Sequence, residues 1–152
     1  MVGLHGQCSC GQSRFALSRA PTRRFLCHCT ICQSVYKAPY ADAMITNAAT
    51  VAIDPQSRLA FHHLNGSKSI DRGICESCGT PTIAFMRLAP GIRLGFVPSG
   101  TIAGQAGLPD PAMHIFYESR STDVADSLPK YDTPARSMRA CLWPFVAGLI
   151  GW

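Results

Sequence analysis

Seven of the eight cysteines in this 152-residue chain fall into three short clusters, and that spacing limits what the chain can fold into more than any other feature. The clusters are Cys8-Ser9-Cys10-Gly11, Cys27-His28-Cys29-Thr30-Ile31-Cys32 and Cys75-Glu76-Ser77-Cys78-Gly79. In an extended strand residues i and i+2 face the same way, so a Cys-x-Cys pair presents two sulfurs to one side. In Cys-x-x-Cys a turn brings both sulfurs to one point, and a glycine after it lets the backbone fold back. Such spacing suits zinc, which takes four ligands tetrahedrally at about 2.3 Å from sulfur. Disulfides are the poorer reading, because Cys-x-Cys pairs have unfavourable geometry for one. Met1 to Gly6 shows neither a charged nor an apolar leader segment, so a reducing, cytoplasmic location is expected.

Seven clustered thiols cannot close two four-cysteine sites. Spacing alone does not say which pairs combine. Cys27, Cys29 and Cys32 lie within six residues of one another and are expected to share one metal, which leaves Cys8, Cys10, Cys75 and Cys78 for the other. The expectation is therefore two zinc ions per chain, a closed structural one and a second, partly occupied one with an open position for chemistry. His28 is expected to point away from its two cysteine neighbours. His114 opens an apolar strand and reads first as a hydrogen-bonded structural histidine. His5, His62 and His63 read as surface or turn residues, and Cys141, with no cysteine near it, as a small buried hydrophobe.

Charge narrows the partners. The formal charge is +5, but zinc binding deprotonates the thiols and brings the total to about +2. Only Arg23 and Arg24 among the arginines are adjacent, so the basic stripe of a nucleic-acid binder is missing and such a partner is not expected. Charged residues make up 15% of the chain and apolar ones 47%, which favours one packed domain over disorder.

Thirteen glycines and eleven prolines punctuate the chain, and no long helical pattern stands out, so short strands are expected. Gly6 to Gly11 and Ser13 to Ser18 read as a hairpin. Further strands are expected at Ala41 to Ile45, Thr50 to Ile53, Pro81 to Leu88, Ile92 to Val97 and His114 to Glu118. Another hairpin, Arg58 to Leu64 with Ser67 to Gly73, would turn on Asn65-Gly66. Residues 1–133 read as the zinc domain and 134–152 as an apolar tail. The tail ends in twelve uncharged residues, Cys141 to Trp152, interrupted by Pro144 and too short for the ~20 residues of a membrane span. It is expected to pack on its own core or on a second copy in a homodimer, rather than on a membrane.

The order Gly6-x-Cys8-x-Cys10-Gly11, Cys27-His28-Cys29-x-x-Cys32, Arg72-x-x-Cys75-x-x-Cys78-Gly79 and Pro111-x-x-His114-Ile115-Phe116 resembles the glutathione-dependent formaldehyde-activating enzyme and centromere-protein-V family. The resemblance runs from about Gly3 to Asp132, where Leu128-Pro129-Lys130-Tyr131-Asp132 fits the family's ending. It implies a mainly β, Mss-four-like fold of packed antiparallel sheets with zinc knuckles. It implies structural zinc ligands at Cys8, Cys10, Cys75 and Cys78, and a second zinc on Cys27, Cys29 and Cys32. It also implies a zinc-dependent carbon–sulfur lyase with glutathione as co-substrate, acting on a small thiol or aldehyde adduct of the S-hydroxymethylglutathione type. Lys37 and Arg72 are weak candidates for its carboxylates, both expected at the surface. The competing readings are a zinc-stabilised binding or scaffold protein without catalysis and a zinc-ribbon-like nucleic-acid binder.

Overall fold

A computed structural model describes residues 3–64, 68–102, 104 and 107–152. The expected Asn65-Gly66 turn lies outside the described residues. Among the described residues ten strands form two sheets. They are β1 (Leu4–Gln7), β2 (Arg14–Leu17), β3 (Arg23–Cys27), β4 (Ala41–Asn47), β5 (Val51–Ile53), β6 (Leu59–His62), β7 (Ile70–Cys75), β8 (Pro81–Ala89), β9 (Ile92–Pro98) and β10 (His114–Ile115). The smaller sheet has the order β1-β2-β5, the larger β10-β3-β4-β9-β8-β7-β6. Pairing is antiparallel except at one edge, where β10 runs parallel to β3 with His114 opposite Leu26.

Strand β4 shows how one sheet serves two cores. Ala43 and Ile45 face a cluster with Phe25, Phe96 and Phe145. Met44, between them, faces the opposite cluster with Phe15, Leu17 and Val97. Successive side chains of a strand point to opposite faces, so a central strand covered on both sides reads as continuously apolar.

The helical form of the covering layer on the first face was not expected. The tail folds into α2 (Pro134–Ile150), a 17-residue helix, where the sequence offered no long helical pattern. Thr133 caps it by accepting from the Arg136 N–H, and Pro134 occupies the first turn, where its missing N–H is no loss. Ser137, Cys141, Phe145 and Gly148 recur at helical spacing on the buried face, which lies chiefly on β4 and also on β3 and β9. At Gly148 helix and strand approach so closely that a Cβ would sit 2.4 Å from Ile45 Cγ2. Asn47 Nδ2 and Arg19 Nη2 both donate to the Leu149 carbonyl, satisfying an end of the helix that Pro144 did not prevent. Thus the tail packs on its own core, and Cys141 is fully buried there.

Candidate functional site

The sulfurs collect into two groups, Cys8 with Cys10, Cys75 and Cys78, and Cys27 with Cys29 and Cys32; within each, all lie within 4.8 Å of one another. All eight cysteines are free thiols.

In the four-cysteine group two similar turns face each other. Cys8 N–H donates to Ser13 O and Cys75 N–H to Thr80 O, closing both turns across the same span. Gly11 and Gly79 follow with φ of 76° and 74°, the positive values glycine adopts without strain. Cys8 Sγ lies 3.5 Å from Cys10 Sγ, and Cys10 Sγ 3.8 Å from Cys75 Sγ. Four sulfurs around a tetrahedral zinc would stand about 3.8 Å apart, so the donor set and its spacing fit the metal. Thr80 and then Ser9 hold the Cys78 thiol down, to about 5.

The three-cysteine group is built differently. Cys27 ends β3, and Cys29 caps α1 (Thr30–Tyr36), its sulfur accepting from the Cys32 N–H at 3.3 Å. The Cys27–Cys32 cluster is thus a strand-to-helix junction, while the first and third clusters form similar turns. Hydrogen bonds from Cys27 and then Cys32 pull the Cys29 thiol down to about 3, while Cys27 is pushed up by Cys29, by Cys32 and by its burial. Three soft sulfurs converging at one point fit zinc with one coordination position left over.

His28 turns away from the sulfurs into the interior, with Nε2 2.8 Å from His114 Nδ1. His114 Nε2 is 2.7 Å from Asp126 Oδ2. A carboxylate can only accept, so His114 donates from Nε2; in its neutral form its Nδ1 then accepts a hydrogen bond from the His28 Nε2–H. Burial, then the neighbouring His114, lowers His28 to about 4 and keeps it neutral at pH 7. Lys130 and then His114 lower Asp126 to about 2. His114 is therefore a hydrogen-bonded structural residue, fully buried behind the three-cysteine junction. His5, His62 and His63 are exposed.

All three cysteines of the smaller group border a cavity of about 250 Å³. Its walls include Phe25, Met86, Phe96 and Ile115 from the sheet, and Met138 and Phe145 from α2. Arg72 also borders it, and here the surface expectation fails: Arg72 is only 9% exposed, and its Nη1 is buried with no hydrogen-bond partner among the described residues. The register of β7 places Arg72 two residues after Ile70, on the face that turns toward the cavity. Lys37, by contrast, is exposed and takes no part in the lining.

Residues 3–119 match the family described as glutathione-dependent formaldehyde-activating enzyme. No curated protein matches the chain. Among solved structures, a Rhodobacter sphaeroides protein is similar in fold, with a TM-score of 0.56 at 18% identity, covering 70% of this chain and 98% of that one.

Proposed function

Because the chain belongs to the glutathione-dependent formaldehyde-activating enzyme family, we propose that it is a zinc-dependent, lyase-type enzyme that makes or breaks the bond between a thiol sulfur and an aldehyde carbon, as in S-hydroxymethylglutathione. Cys8, Cys10, Cys75 and Cys78 would hold a structural zinc, and Cys27, Cys29 and Cys32 a second one. Zinc held by three thiolates supplies the lowering of an incoming thiol's pKa. The observation that carries the reading is the meeting of three sulfurs and a buried guanidinium at one apolar cavity.

The chain's own residues do the rest. The His28–His114–Asp126 chain anchors the Cys27–Cys29 segment from behind, and Gln33 Nε2 ties it down by donating to the His28 carbonyl at 2.6 Å. The apolar cavity walls reduce, without abolishing, water around the reacting groups. In the forward direction the thiol sulfur bonds to the aldehyde carbon, the C=O π pair moves to oxygen, and the thiol proton ends on that oxygen.

Thiols add to formaldehyde spontaneously, so the test is saturation kinetics above the uncatalysed rate. Cys29→Ser should abolish the saturable component while near-UV circular dichroism stays native; undiminished turnover in that variant overturns the reading. A binding protein without turnover is the second reading. It is favoured by the outer face of α2, where Leu142, Trp143 and Ile150 are 66%, 55% and 52% exposed. No helix among the described residues is long and apolar enough to cross a membrane.

A further inference from the structure

The cavity beside Cys27, Cys29 and Cys32 is larger and more apolar than formaldehyde requires. Its volume of about 250 Å³ would hold roughly eight waters at liquid density. Formaldehyde would leave most of that space wet, against walls of Phe25, Met86, Phe96 and Phe145 that favour an apolar occupant. The volume also falls below the ~300–1,000 Å³ of pockets for drug-sized ligands. A tripeptide with two carboxylates and an ammonium does not suit the interior, since the described lining offers one cation and no carboxylate.

That cation is Arg72. A guanidinium buried without a partner is unfavourable, and nothing in the described chain accepts a hydrogen bond from its Nη1. Cys29 and Cys32 feel its charge, yet neither sulfur is its hydrogen-bond acceptor. An occupant bringing an oxygen to the guanidinium where Arg72 borders the cavity would offset the cost of burying its charge.

We propose that this cavity binds an aldehyde with an apolar body of roughly eight non-hydrogen atoms, its carbonyl oxygen accepting from the Arg72 guanidinium and its body lying against the aromatic wall. This deepens the carbon–sulfur reading above and rests on it for the reaction. As the thiol sulfur bonds to the carbonyl carbon, negative charge gathers on the oxygen facing Arg72, where a fixed donor is most effective. The thiol proton then reaches that oxygen through solvent, because the guanidinium keeps its own. The product is a hemithioacetal. Three thiolates leave a zinc site with net negative charge, poorly suited to polarise a carbonyl, so that task falls to Arg72.

Calorimetry on the zinc-loaded full chain tests the site independently of turnover. Hexanoate, whose carboxylate mimics the charged oxygen, should bind, and hexylammonium should not. Arg72→Met should weaken hexanoate about tenfold or more, keep both metals, and melt no lower than wild type, because Nη1 gives up no hydrogen bond. Met138→Asp, on the 44% exposed rim, should fold normally and weaken hexanoate by like charge. The proposal is overturned if hexanoate fails to bind, if it binds both variants as it binds wild type, or if Arg72→Met empties the three-cysteine site, which would make Arg72 a counter-ion of the sulfurs. In kinetics with a thiol, hexanal should exceed formaldehyde in kcat/KM. Formaldehyde turnover without hexanoate binding would sink the cavity assignment and keep the chemistry. Arg72-dependent hexanoate binding without turnover of any aldehyde would do the reverse.

Discussion

The two cysteine groups use the same ligand chemistry on opposite plans. The four-cysteine group joins residues 65 apart in sequence, as at Cys10 and Cys75, and is edged by Ser9 and Thr80. The three-cysteine group comes from one stretch of six residues, and it borders an apolar cavity with a buried arginine. A metal linking distant segments organises the fold, since it closes a long loop and its binding energy becomes folding energy. A metal held by one local junction adds little to topology, so its coordination can be left incomplete. Where the ligands come from along the chain would thus separate a structural role from the proposed chemical one.

The largest expected effect is on the first group. Structural zinc in small domains contributes about 10–16 kcal/mol, comparable to the whole 5–15 kcal/mol stability of a typical fold. Cys75→Ser should therefore give a chain without a cooperative melt, whereas Cys29→Ser should melt cooperatively with one metal fewer; circular dichroism and metal analysis on both variants read this directly. If both variants unfold alike, the contrast between the groups is broken.

A smaller effect separates α2 from the clusters. Phe145, 9% exposed and stacked edge-on against Phe96 with ring centroids 5.9 Å apart, should on truncation to Ala cost about 3–5 kcal/mol, lowering Tm by roughly 10 °C. Because Phe145 lines the cavity, the variant should lose metal faster from the three-cysteine group and at an unchanged rate from the other. Equal loosening of both would show that the helix supports the fold generally and not the cavity. The smallest effect is expected for Asp126→Asn, which weakens the acceptor for His114 and Lys130. It should leave the metal count intact and lower Tm less than Phe145→Ala does, by differential scanning calorimetry; loss of metal would give Asp126 a closer role.

The cysteine groups and most strands were legible in the sequence because their signals are local: i, i+2 sulfurs, glycines after them, and short runs between turns. Three features were not. Helix α2 carries Leu142, Trp143, Val146 and Ile150 on its exposed face as well as Phe145 and Ala147 inside, so beyond Arg139 no polar side marks the period, and Pro144 argued against a helix. Thr133-Pro134, a cap followed by a first-turn proline, was the signal available. The burial of Arg72 depends on strands brought together from remote segments, although its place two residues after Ile70 put it on the same face. The parallel pairing of β10 with β3 joins His114 to Leu26, and nothing local in either segment specifies it.

Zinc counted per chain during mild chelation, with circular dichroism followed in the same sample, bears most directly on the division between the two groups. Two zinc ions are predicted, one leaving quickly with the fold and melt unchanged, the other leaving only as the protein unfolds. A single tightly held zinc, or two that leave together with the structure, would contradict it.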